Sequence, residues 1–209
     1  METGGEAARR PIAARSSGWA LASSARLARR GVTPNSISLA SVAFALVGGA
    51  LIYGVNHPLA LALAAACVQL RLLCNLLDGM VAIEFGAKSR TGPIFNEFPD
   101  RVADTLFLVP LGYAAGLSWL GWACALLAAL TAYIRVFGGS LGLPQDFGGV
   151  MAKQRRMAAL TVGLLAQAIE LPALGSHWSL LVTVAVIAAG SLTTCITRTL
   201  ALSRALENS

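Results

Sequence analysis

Long apolar runs separated by short polar stretches organise this chain. A hydrocarbon core of about 30 Å needs roughly 20 helical residues per crossing, and runs approaching that length can be drawn at Ser36–Val55, Pro58–Leu77, Val102–Leu120, Gly121–Phe137, Met157–Leu174 and Trp178–Leu200. The pattern predicts an all-α integral membrane protein with six transmembrane helices. The polar stretches punctuate it. In Gly31–Ser38 (GVTPNSIS), Pro34 pushes the preceding residue into extended backbone, and Asn35 or Ser36 offers a side chain to cap the next helix. The longest acid- and glycine-containing connection, Asp78–Arg101, separates the second and third runs.

Ahead of the first run, residues 1–17 are rich in Arg and Ala and have no apolar stretch of signal-peptide type, so they read as a disordered basic tail. Residues 18–30 (GWALASSARLARR) set Trp19, Ala22 and Leu27 against Arg26, Arg29 and Arg30. This is the pattern of an amphipathic helix lying at the membrane interface, with a loose basic linker as the alternative. The six-span domain extends over 18–204, and 205–209 form a C-terminal tail. No repeat or low-complexity block forms a second module.

Composition agrees: 56% of residues are hydrophobic and 12% charged, and the mean hydropathy is +0.68, far from the composition of a soluble domain. The sixteen Lys and Arg residues orient the spans, because cytoplasmic segments collect positive charge. Arg9, Arg10, Arg15, Arg26, Arg29 and Arg30 precede the first span. Lys88, Arg90 and Arg101 lie between the second and third, Lys153, Arg155 and Arg156 between the fourth and fifth, and Arg198 and Arg204 close the chain. The opposite turns, at Asn56-His57, Ser118 and Glu170–His177, contain neither Lys nor Arg. Both termini are therefore expected in the cytoplasm, as for a bacterial inner-membrane protein. The net charge of +6 is topology and attraction to anionic membrane lipids, with no nucleic-acid partner implied. Cys67, Cys74, Cys124 and Cys195 all fall within apolar runs without a C-x-x-C pair, which points to small apolar fillers rather than a zinc site. His57 and His177 lie at the face opposite the polar connection, and Trp19, Trp119, Trp122 and Trp178 read as interfacial belt residues. Gly48-Gly49 and Ala62–Ala66 suit close helix packing.

Ionisable groups at or within membrane spans require a functional or pairing explanation. Arg71, Asn75, Asp78 and Ala82 follow a 4-3-4 spacing that stacks them on one helical face, and Asn96, Asp100 and Asp104 do the same on the next helix. Two such stripes form an oxygen-rich cleft that suits Mg²⁺ or Mn²⁺, with a diphosphate completing the coordination. Arg71 and Asp104 each sit one turn deeper than Asn75 and Asp100, so they are expected to form a structural ion pair. The alternative is that Asp104 or Glu97 serves as an additional metal ligand.

The same segment resembles the signature of the CDP-alcohol phosphatidyltransferase family, D-x-x-D-G-x-x-A-R, eight residues, then G-x-x-x-D-x-x-x-D. The spacing is intact: Asn75 and Asp78 stand at the first two acids, Gly79 and Ala82 at the next two marks, Gly92 at the second glycine, and Asn96 and Asp100 at the last two acids. The Thr33-Pro34-Asn35 entry is similar to that family as well. The resemblance implies metal coordination by Asn75, Asp78, Asn96 and Asp100, CDP binding along Gly79, Ala82 and Gly92, and Asp100 as the general base. That base would activate an acceptor alcohol to attack the β-phosphorus of a CDP-activated lipid such as CDP-diacylglycerol, releasing CMP in phospholipid biosynthesis. It also favours a homodimer. Three positions depart from the signature, with Asn75 and Asn96 in place of acids and Ile83 in place of arginine. Two negative charges are thus missing from the cation cage, which implies weaker binding or one ion instead of two. A catalytically weakened homologue that binds a CDP-lipid or a partner without turnover is the alternative.

A second basic cluster extends from Tyr133 to Met157, broken by Gly and Pro. Arg135, Lys153 and Arg156 there are candidates to hold the phosphate of an acceptor or donor, Arg bidentately, against a plain topological role.

Overall fold

Each long helix begins where the sequence supplies a start signal. In the computed structural model, which describes residues 13–86 and 90–208, seven α-helices follow one 3₁₀ turn at Ala13–Ser16, with no strand among the described residues. Arg9, Arg10, Lys88 and most of the expected N-terminal tail lie outside the described residues. Helix α1 spans Gly18–Arg29, α2 Pro34–Gly54, α3 Pro58–Glu84, α4 Gly92–Ala114, α5 Ser118–Ser140, α6 Lys153–Leu174 and α7 Trp178–Glu207. Thr33 caps α2, its hydroxyl accepting the Ser36 N–H at 3.2 Å, and Pro34 occupies the first turn, where its missing donor is harmless. The cap is therefore Thr33, not Asn35 or Ser36, because only the residue ahead of the proline is still extended.

Five helices, α2, α3, α5, α6 and α7, are long and apolar enough to cross a bilayer. The sixth long helix, α4, carries Glu97, Asp100, Arg101 and Asp104 in its first half. Its bounds differ from the apolar run expected at Val102–Leu120. The helix starts ten residues earlier, at Gly92-Pro93, and ends at Ala114. The break falls at Ala115–Leu117, where Gly116 adopts φ 75°. That turn contains no polar side chain, so hydropathy reads straight through it, while the backbone conformation, which only glycine adopts without strain, stops the helix. Helices α3 and α7 continue past the apolar runs, to Glu84 and Glu207, because backbone hydrogen bonding does not end where apolarity does.

Helix α2 packs on α3 and α4, α4 on α5, α5 on α7, α7 on α6, and α6 back on α3. The ring closes around a core of Val68, Phe107, Leu108, Leu111, Leu160, Leu164, Val184 and Ile187. Glycines set the closest approaches. A methyl group on Gly49 would overlap the carbonyl oxygen of Leu106, and Gly112 of α4 lies against the backbone of Gly121 in α5. Helix α1 rests across α3, burying Ala20 against Leu76 and Met80.

Candidate active site

Helices α2 to α7 leave one large cavity of about 920 Å³, with α1 at its edge. The residues singled out by spacing line it together: Asn75, Asp78, Gly79 and Ala82 from α3, Gly92, Asn96 and Asp100 from α4, Arg135 from α5, and Lys153 and Arg156 from α6. The face of α3 is presented inward because the opposite face is held by Leu76, Leu77, Met80 and Val81 against α1 and α2. Pro99 sits inside α4, one residue before Asp100.

Below the cavity floor runs a chain of alternating charges. Arg71 donates to Asp104 at 2.8 Å and to Asp100 at 3.2 Å, and Arg156 donates to the other oxygen of Asp104 at 2.6 Å. Arg71, Asp104 and Arg156 are all buried. Both Asp104 and Glu97 are paired with arginines. Asp104 is clamped between two guanidinium groups, and Glu97 accepts both oxygens' worth of bonds from Arg135 at 2.6 and 2.7 Å. Arg135 is held further by the side chain of Gln145 and by the ring of Phe147, 5.0 Å away, both from the loop after α5.

Asp100 is the junction. One carboxylate oxygen accepts from the amide of Asn75 at 2.7 Å and from Arg71, and the other is bonded by the ammonium group of Lys153. Lys153 is the first residue of α6, so its position is set by the helix start at Ala152. Asp78 is engaged differently, accepting a 2.6 Å hydrogen bond from Ser38 of α2. Asn96 is exposed at the cavity.

Two contributors escaped the reading of spacing. Arg198 of α7 lines the cavity, and its guanidinium donates to the carbonyls of Gly148 at 2.6 and 3.0 Å and of Thr131 at 2.5 Å. Its signal was there, a charge inside an apolar run, but it was counted with the cytoplasmic bases. Ser38 gave no signal, since a serine in an apolar helix usually bonds its own backbone.

Comparison with known proteins gives a consistent picture. No family model matches the chain. The phosphatidylinositol phosphate synthase of Mycolicibacterium smegmatis is 28% identical over 185 residues, covering 81% of this chain and 77% of that protein. The inner membrane protein YnbA of Escherichia coli is 29% identical over 152 residues, 71% of this chain and 73% of that protein. Among solved structures, the Mycobacterium tuberculosis phosphatidylinositol phosphate synthase with CDP-DAG bound superposes with a TM-score of 0.73 at 22% identity, over 88% of this chain and 92% of that one. The same enzyme in complex with manganese and citrate gives 0.72 at 23% identity, over 88% of each chain. Over most of its length the chain is thus similar to CDP-alcohol phosphatidyltransferases.

At the positions of that family's motif the candidate cation site is altered, with Asn75 and Asn96 where the motif has acids. The donors at the motif positions are all oxygen, two carboxylates and two amides, which suits a hard divalent ion. Among the described residues, however, no three acidic, His or Cys side chains gather closely enough to hold a metal by themselves. The donor set therefore fits an ion that shares its coordination with a ligand such as a diphosphate.

Proposed function

We propose that this chain transfers a phosphatidyl or related phospho-alcohol group from a CDP-activated donor such as CDP-diacylglycerol to an acceptor alcohol, with release of CMP. The observation that carries this reading is the convergence of the motif residues of α3 and α4 with the cations of α5, α6 and α7 on one cavity. Asp78 and Asp100, with the amide oxygens of Asn75 and Asn96, would hold Mg²⁺ or Mn²⁺. When bound, that ion supplies charge neutralisation on the diphosphate and its leaving group. Gly79, Ala82 and Gly92 leave room along α3 and α4 for the nucleotide to approach backbone closely.

The acceptor hydroxyl attacks the β-phosphorus, a new P–O bond forms, the P–O bond to CMP breaks, and the hydroxyl proton passes to Asp100. For that transfer Asp100 must exchange Lys153 for the hydroxyl. Arg135, Lys153, Arg156 and Arg198 favour an acceptor or donor that brings a phosphate of its own. Arg198 supports this most directly, because no carboxylate bonds it among the described residues. The names of the relatives are in keeping with a phosphorylated acceptor.

The wider arrangement belongs to the same reading. Helix α4 crosses as a sixth span, since it packs between α2 and α5 and shares their core. Helix α1 lies at the interface, with Arg26 and Arg29 in its last turn. The basic segments support a cytoplasmic location for the cavity and both termini, and the resembled family favours a homodimer in the inner membrane.

The test is CMP release from CDP-diacylglycerol with Mg²⁺ or Mn²⁺ and a panel of free and phosphorylated alcohols. Release that is lost in Asp100→Asn is expected. A protein that binds the CDP-lipid and never releases CMP would instead be the weakened homologue that Asn75 and Asn96 bring to mind.

A further inference from the structure

The carboxylates at the cavity floor are already matched by cations before any ligand enters. Three carboxylates, Asp78, Asp100 and Asp104, meet three cations, Arg71, Lys153 and Arg156, around its floor. Both oxygens of Asp100 are engaged by donors: Asn75 and Arg71 on one, Lys153 on the other. Asn75 is central here. A carboxylate at this position would repel Asp100 unless a cation lay between them, whereas the amide donates an N–H to it directly at 2.7 Å. The amide and the lysine act on the same carboxylate: Asn75 stands where the motif has an acid, and Lys153 sets a positive charge against Asp100.

We infer that the Lys153 ammonium stands in for one of two divalent ions, so that the site takes a single divalent ion, on the Asp78 side, together with the donor's diphosphate. A lysine carries one charge on a flexible stem and offers three N–H donors, so it can neutralise a phosphate oxygen without fixed coordination geometry. It can also leave Asp100 for the diphosphate when the donor binds, which frees the base as chemistry begins. Asp78 remains available to the ion, since its bond from Ser38 engages one oxygen and orients the carboxylate. This inference rests on the transferase reading of the cavity.

The experiment counts Mn²⁺ by electron paramagnetic resonance on the full-length protein in detergent, with and without CDP, and follows CMP release on the same preparations. Wild type should hold one Mn²⁺ per chain, and only weakly without CDP. Lys153→Met should tighten Mn²⁺ about tenfold through removal of a neighbouring charge. The combined Asn75→Asp, Asn96→Asp and Lys153→Met protein should hold two. Two Mn²⁺ per wild-type chain would overturn the inference while leaving the transferase reading intact, and this measurement needs no variant to fold. No Mn²⁺ on wild type in the presence of CDP would also overturn it. CMP release on that sample then separates the two ideas: if release is absent as well, the transferase reading falls with it.

Discussion

Asp104 lies buried between two guanidinium groups, and that position dictates what its removal does. Taking away one partner of a buried ion cluster leaves the others uncompensated, a loss of about 3–5 kcal/mol. Asp104→Ala, which leaves Arg156 without its carboxylate and Arg71 with Asp100 alone, should lower stability by that amount in detergent unfolding, whatever its effect on activity. Ser38 acts at the other end of the site. Ser38→Ala removes the 2.6 Å bond that orients Asp78 and should weaken Mn²⁺ binding in the presence of CDP about 10- to 100-fold, with the unfolding midpoint unchanged. Arg198→Ala should raise KM for a phosphorylated acceptor by about tenfold or more, the value of a hydrogen bond to a charged group, and leave KM for the CDP-lipid unaltered. Equal effects on both substrates would assign Arg198 to holding Gly148 and Thr131 alone.

At the scale of elements, glycine contacts fix the helix spacing. Gly49→Ala drives a methyl into the Leu106 carbonyl and should destabilise by about 1–3 kcal/mol or more. Gly54→Ala, in the same helix with open space around it, should be neutral in the same unfolding assay. The elements were legible in the sequence to different degrees. Apolar length located α2, α3, α5, α6 and α7, because a bilayer imposes a minimum run. The charge map set a turn at Ser118, but its residues Ala115–Leu117 are apolar throughout, so hydropathy ran through them and the helix end at Gly116 was missed. The site was legible wherever helical periodicity applies: the 4-3-4 spacing of α3 and the 4-4 spacing of α4 set Arg71 at the depth of Asp104, and the two are in contact. Lys153 meeting Asp100 and Arg135 meeting Glu97 were not legible. Those pairs join helices distant in sequence, so their meeting depends on packing that no local pattern encodes.

For the whole molecule, the charge map predicts sidedness. The α4–α5 turn and the loop after α5 should face opposite compartments. Single cysteines at Ser118 and Gln145 on a cysteine-free background should therefore react with a membrane-impermeant maleimide from opposite sides. Labelling of both from one side would exclude α4 as a span. The chain closes its core between α2 at one end and α7 at the other through α4, α5 and α6, so the cavity exists only once all long helices are in place.

Helix α4 is too polar to meet the length-and-apolarity standard that its neighbours satisfy, and this bears on how the protein is made. A charged residue at the centre of an inserting segment costs about 2.5–3.5 kcal/mol at the translocon, and α4 carries Asp100, Arg101 and Asp104 within two turns. To cross as proposed, it needs a partner already in the membrane, and synthesis order supplies one: α3, with Arg71, emerges first. Insertion of α4 is thus expected to be templated by the preceding hairpin. Arg71→Leu should lower the fraction of chains in which α4 is integrated, measured by glycosylation mapping of nascent chains, even though it makes the protein more hydrophobic.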